Sequence, residues 1–215
     1  MSTLAELTDD VEADLKDISN EVWSTAEISR AIARALREYD QVLPQILITT
    51  KTLAAKGWEI DISTITGYVA IIRVWFDYDS SDPEHPPRYT DFEMWPGNIL
   101  FIKDKDEPES GDVLRIWYTK GQTINGLDGA TATTVPLRDE EVIVLGATAY
   151  CALSEAIDST GEVTVHPDDM STFQKWGEAR LLQFRALLEA LRQRETRKED
   201  KRVGPWKRAD VEDGI

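Results

Sequence analysis

Apolar residues in the first segment, residues 2–18, recur at Leu4, Leu7, Val11, Leu15 and Ile18. Steps of three and four place them on one helical face. Glu6, Asp9, Asp10, Glu12, Asp14 and Asp17 fill the remaining positions and read as solvated surface. Ser24 with Glu27 three residues later is a capping box. The helix it opens carries Ile28, Ile32, Ala35, Leu36 and Tyr39 on one stripe. Pro44 ends it, because the ring removes a donor and clashes with the preceding turn.

From residue 46 to residue 119 the period changes to two. Residues 45–53 alternate and are rich in Ile and Thr, and Lys56-Gly57 offers a turn before residues 58–62. Residues 68–78 put Tyr68, Ala70, Ile72, Val74, Phe76 and Tyr78 on one face of the strongest predicted strand. Residues 88–95 follow a loop holding Pro83, Pro86 and Pro87. In Trp95-Pro96-Gly97-Asn98, Pro and Gly occupy the central positions of a type II turn. Residues 98–103 and 112–118 are two further strands, joined by an acidic loop over 104–111. Five or six strands, many joined as hairpins, predict an antiparallel sandwich or a small barrel.

Residues 121–136 are a turn-rich connector with Gly121, Gly126 and Gly129 and no apolar period. Asp139 then opens a helix through residue 159, with Val142, Gly146, Ala149, Leu153 and Ile157 on its face and small Ala147 and Ala152 nearby. Asp168 or Asp169 caps a last helix with the stripe Phe173, Trp176, Gly177, Leu181, Phe184, Leu188 and Leu191. The fold class that follows is α+β: a four-helix bundle made from two helical hairpins, with an inserted antiparallel β-lobe and an extended C-terminal arm. The expected segments are residues 1–44 and 139–198 for the hairpins, 45–138 for the lobe and connector, and 199–215 for the arm.

Charge changes the picture most. The 215 residues hold 24 Lys and Arg against 40 Asp and Glu, a net charge of −16. Gripping a duplex from outside needs basic residues that replace condensed counterions, so duplex binding over a broad face is not expected. The longest apolar runs, such as residues 69–72 and 99–102, fall far short of the about 20 residues of a membrane-spanning helix. The first residues carry acids and no basic region of a secretory signal, so the expectation is a soluble protein, intracellular at synthesis.

Candidate chemistry is sparse. His85 and His166 each precede a proline, which places both in loops. Cys151, the one cysteine, lies mid-helix among Ala and Tyr and reads as a buried, inert thiol. Asp77, Asp79, Asp82 and Glu84 invite a calcium reading, but the positions that should hold Gly and Glu are Asp82 and Arg88. That leaves a solvated loop or a looser cation site. Phosphate-cradling motifs are absent, so no enzyme activity, metal or cofactor is expected. Trp58, Trp75, Trp95 and Trp117 fall in the strand region and read as core or interface fillers, or as a sugar-binding platform.

Residues 192–208 hold eight basic residues, Arg192, Arg194, Arg197, Lys198, Lys201, Arg202, Lys207 and Arg208, against Glu195, Glu199 and Asp200. Within them Val203-Gly204-Pro205-Trp206 interrupts any helix. The segment reads either as an arm docking on another chain with Trp206 as anchor or as a frayed end.

Leu4-Ala5-Glu6-Leu7, Val22-Trp23-Ser24-x-x-Glu27-Ile28, Ala35-Leu36-x-x-Tyr39 and Pro44, with Val135-Pro136 and Val144-Leu145-Gly146-Ala147-x-Ala149-Tyr150 further on, resemble the head–tail connector adaptor proteins of tailed bacteriophages. The resemblance runs to about Arg197. It implies a structural virion protein in the neck, made in the host cytoplasm, that forms a homo-oligomeric ring, typically dodecameric, below the portal protein. Such a ring bridges to a downstream neck or tail protein and lets DNA pass without specific binding. It implies that Arg197, Lys198, Lys201, Arg202, Val203, Gly204, Pro205, Trp206, Lys207 and Arg208 form a portal-binding arm. Two acidic loops, Asp77, Asp79, Asp82 and Glu84 with Asp104, Asp106, Glu107 and Glu109, would then face the channel or the neck. The rival readings are another neck protein (a stopper or tail terminator) and a carbohydrate-binding or hydrolytic module on the Trp-bearing sheet.

Overall fold

The computed structural model describes residues 2–83, 87, 89–158 and 167–202, with the backbone alone at 156–158, 167–171 and 196–202. Mixed α+β, it holds four helices and one six-stranded antiparallel sheet among those residues. The helices belong to one compact unit, drawn from the described parts of residues 1–43 and 122–215, and the sheet to another, Pro44–Gly121.

Helix α1, Leu4–Leu15, starts at Thr3, whose side chain accepts from the Glu6 N–H while Glu6 accepts from the Thr3 N–H. It stops three residues short of the predicted end, with Lys16 in the left-handed region at φ 62°. The cause is Asp17. Its carboxylate accepts the backbone N–H groups of Glu21, Val22 and Trp23 at 2.9, 3.0 and 2.9 Å and bends the chain out of the helix. Asp17 and Glu12 are therefore buried, not solvated as their charge suggested, and Ile18 leaves the stripe to stand 79% exposed. The three N–H groups, that of Trp23 first, hold the Asp17 carboxyl below its ordinary range.

Helix α2, Thr25–Val42, begins at the expected capping box of Ser24 and Glu27. Ile28, Ile32, Ala35, Leu36 and Tyr39 are all buried along it. The Leu43 N–H still reaches the Tyr39 carbonyl at 2.8 Å before Pro44.

A short 3-10 turn, Leu137–Asp139, leads into helix α3, Glu140–Asp158, and helix α4 covers Pro167–Arg202. The predicted single stripe on α3 understates its burial, for every residue from 142 to 152 is buried. The helix packs against α1, α2 and α4 at once, and a helix apolar all round must be covered all round. Small residues make that possible. A Cβ on Gly146 would stand 2.8 Å from the Phe184 ring and 3.0 Å from Ala35, and one on Gly177 would stand 3.0 Å from Leu153. The α4 stripe is as predicted: Gly177, Phe184 and Leu188 are buried and Phe173, Trp176, Leu181 and Leu191 half-buried. The helix does not stop there but runs to Arg202, past residue 199 where the arm was expected to begin.

The connector joins this unit and not the sheet, because Ile124, Leu127 and Val135 enter the helical core. Its backbone is stitched to the start of the chain. The Leu4 N–H donates to the Asn125 carbonyl at 2.8 Å, and Ser2 donates to both Glu140 carboxylate oxygens at 2.9 and 2.6 Å. At its other end the Gln122 N–H donates to Asp40 Oδ1 at 2.7 Å and Gln122 Nε2 to the Leu43 carbonyl at 3.0 Å.

The sheet strands are β1 Gln45–Thr52, β2 Glu59–Asp61, β3 Tyr68–Trp75, β4 Tyr89–Trp95, β5 Ile99–Lys103 and β6 Val113–Lys120. Their order is β1-β6-β3-β4-β5-β2, antiparallel throughout, in one curled sheet whose edge strands are β1 and β2. Only β4 and β5 are joined by a tight turn, with Gly97 at φ 83° in the position a type II turn requires. The strict alternation expected over residues 68–78 fails at two register shifts against β6, between Tyr68 and Ala70 and between Ile71 and Arg73. These bulges each insert a residue. Ile71 and Val74 consequently share the inner face, while Ile72 is exposed. The inner face closes a separate core of Leu53, Ile60, Ile62, Leu100, Ile102, Leu114 and Ile116, among others.

Three outcomes test these contacts. Gly146→Val should lower the urea midpoint by the equivalent of roughly 1–3 kcal/mol, since the buried Phe184 ring has nowhere to move. Asp17→Ala should lower the thermal midpoint at neutral pH. The gap to wild type should close as pH falls through the depressed Asp17 pKa, because the carboxylate stabilises the fold only while ionised. Burial pushes the Cys151 thiol up to about 12, so its alkylation at mildly alkaline pH should be slow in the native protein and rise to that of a free thiol when urea unfolds it.

Candidate functional site

Titratable side chains come together inside the helical unit, and each cluster does structural work. Tyr39 donates its hydroxyl to Asp139 Oδ2 at 3.0 Å, both groups buried, and burial with that bond raises the phenol's pKa. Arg194 and Arg138 lie 3.6 Å from the two oxygens of the same carboxylate. Tyr150 donates to Glu38, and burial followed by that bond raises its pKa to about 12, while the Arg34 guanidinium lies 4.0 Å from the centre of its ring. Desolvation lifts the Asp40 carboxyl to about 6 against the hydrogen bond from Gln122. None of these places a nucleophile beside a base. Cys151 is buried, and its carbonyl accepts the Trp23 indole N–H at 3.0 Å. Among the described residues no group of three His, Cys, Asp or Glu is placed to hold a metal ion. His85 and His166 lie outside the described residues.

The first acidic loop lies beside the start of β6 at one end of the sheet. The Tyr78 N–H donates to the Val113 carbonyl at 2.8 Å. Asp77, Asp79 and Asp112 line a shallow hollow of about 350 Å³ there. Asp77, Asp79, Asp82, Asp106, Glu107 and Glu109 are exposed. Asp104 is half-buried and accepts the Thr90 hydroxyl at 3.0 Å. Asp79 is held below its ordinary range by the Ser81 hydroxyl and N–H. Lys56 stands 3.2 Å from Glu107 and 3.6 Å from Glu109. Glu84 lies outside the described residues.

Of the expected arm, Arg197, Lys198, Lys201 and Arg202 sit on the backbone of α4. Val203, Gly204, Pro205, Trp206, Lys207 and Arg208 lie outside the described residues. Arg194, counted with the basic tail in the sequence, instead turns inward toward Asp139.

The outer face of the sheet holds Trp75 and Trp117, two of the four strand tryptophans singled out in the sequence, and joins to them arginines and tyrosines that the sequence reading did not connect. Cross-strand register sets Ile48 opposite Trp117 and Thr50 opposite Arg115. It also sets Arg73 opposite Trp117, Trp75 opposite Arg115, and Tyr89 opposite Trp75. Trp75 packs edge-on to Tyr78 and Tyr89, and Tyr89 edge-on to Trp117. The signal was present in β6, where Arg115 and Trp117 alternate with buried Leu114 and Ile116. It was hidden in β3 by the two bulges. Farther along the sheet Trp95 stacks on Phe101 with ring centres 4.6 Å apart, and Trp58 tilts against the same ring.

The helical unit has its own uncovered apolar side chains. Leu182 on α4 is 73% exposed and Leu137 before α3 is 67% exposed. No helix among the described residues is long and apolar enough to cross a membrane. No protein-family model matches this chain, and no curated protein matches it.

Proposed function

We propose that the protein is a structural subunit of a phage neck, an adaptor that forms a ring below the portal. The observation that carries the reading is that both units expose aliphatic side chains, Leu137, Leu182 and Leu187 on the helices and Ile46, Ile48 and Val69 on the sheet. Cyclic assemblies use heterologous contacts, in which one face of a subunit meets a different face of its neighbour. A ring subunit needs such a face on each side, and exposed apolar side chains on both units can supply them. The resemblance to head–tail adaptors supplies the place of the ring.

In this reading α1–α2 and α3–α4 are two hairpins of one bundle, and the sheet unit is inserted between them. The net charge of −16 gives the ring a negative lumen that repels phosphate and lets DNA slide. The exposed loops with Asp77, Asp79, Asp82, Asp106, Glu107 and Glu109 belong to the channel or to the side facing the next neck protein. The basic run from Arg197 to Arg208 reaches the portal, with Trp206 as its anchor. The virion neck is then the protein's final location, after assembly in the host cytoplasm. A stopper or tail terminator shares ring formation and differs in the layer it contacts.

Deleting residues 203–215 should abolish co-sedimentation with the portal while leaving the circular dichroism spectrum unchanged. Undiminished co-sedimentation would remove the arm from the portal contact.

A further inference from the structure

The outer sheet face has a composition found at the centre of protein interfaces, where aromatic residues and arginine are enriched. Trp75, Tyr78, Tyr89 and Trp117 brace one another there. Two arginines lie over their rings, Arg73 at 5.5 Å from Tyr89 and Arg115 at 4.7 Å from Tyr78 and 5.3 Å from Trp117. Arg115 donates to the Tyr78 hydroxyl at 2.8 Å. Among the described residues no carboxylate pairs with either arginine. Trp75, on the same face, keeps its indole N–H buried without an acceptor.

The complementary surface lies on the other unit. Helix α1 contains no basic residue. It exposes Asp9, Asp10 and Asp14, and no ion pair reaches them among the described residues. Alongside runs a groove of about 700 Å³ lined by Leu4, Ala5, Thr8, Asp9, Glu12 and Ser29, among others. Asp9 borders this groove, while Asp10 and Asp14 stand on the other flank of α1, beside a second hollow that Leu137 and Leu187 also line.

We infer that the Arg73–Arg115 aromatic face of one copy seats against the exposed acidic side of α1, with Asp9, Asp10 and Asp14, of a second copy, which makes this pair a head-to-tail contact of the ring. The inference rests on the self-assembly reading above and adds the two surfaces that meet. Arginine over an aromatic ring is pre-oriented, so pairing it with a carboxylate orders little that is not already ordered. The two surfaces are unlike, as a heterologous contact that repeats around a ring requires. Single-stranded nucleic acid also stacks on aromatic–arginine platforms, but the acidic loop at one end of this sheet works against a phosphate backbone.

The test is a charge exchange on the full chain, read by sedimentation and native mass spectrometry at low and high salt. Arg73→Glu with Arg115→Glu should weaken self-association about tenfold or more, as should Asp9→Arg with Asp10→Arg and Asp14→Arg. Mixing the two variants should restore it, because each supplies the surface the other lacks in complementary sign. Raising salt should weaken the wild-type contact. Arg73→Glu alone, at an exposed position, keeps the experiment decisive if the double variant does not fold.

Oligomers indifferent to both sets would overturn this contact and leave the ring reading standing. Variants that each lose association but are not rescued by mixing would also overturn it. A wild-type chain that stays monomeric at high concentration overturns it as well; if that chain also fails to assemble on the portal, the ring reading goes with it. Binding of an oligothymidylate probe that Arg73→Glu abolishes would give the face to nucleic acid instead.

Discussion

Helix α3 is the constraint from which the helical unit follows. A helix buried along every residue from 142 to 152 needs neighbours on all sides, and α1, α2 and α4 are those neighbours. Close approach is set at Gly146, where the Phe184 ring and the Ala35 methyl both sit nearer than a side chain would allow. Packing at this density tolerates little change in volume. The polar groups at the rim of this core answer to the same constraint. Tyr39 and Asp139 are tied to each other, and the Trp23 indole finds the Cys151 carbonyl, because burial leaves each without water.

Much of this architecture was legible in the sequence because it is periodic. The stripes of α2 and α4 and the approximate places of the strands follow from spacing that repeats every 3.6 or every two residues, and the capping box at Ser24 from one local pair. What was not legible depends on single side chains acting at a distance. Asp17 looked like surface charge and is a buried acceptor for three N–H groups that ends α1. Two bulges in β3 moved Ile71 inward and Ile72 outward, and no alternation rule anticipates an inserted residue. The connector lacked periodicity, yet Ile124, Leu127 and Val135 were enough to commit it to the helices.

Charge reads differently once placed. Part of the acidic excess is internal: Asp17, Asp139 and Glu140 are buried and satisfy backbone, hydroxyl and guanidinium groups. The remainder is exposed on both units, on the outer side of α1 and in the sheet loops with Asp77, Asp79, Asp82, Asp106, Glu107 and Glu109, while one sheet face presents arginines over rings.

The stitching of the helical unit across the insertion has a consequence for biosynthesis. Asp40 and Leu43 meet Gln122, and Leu4 meets Asn125, so both ends of the excursion are fastened on the helical side. A ribosome delivers α1 and α2 long before α3. Their greasy faces must therefore wait, uncovered, while the entire sheet is translated. Closing so long a loop adds little to the equilibrium cost, which grows only with the logarithm of length, but it delays the moment of closure. The nascent chain is thus most exposed to chaperones and to misassociation during that interval, and the finished fold keeps no trace of it.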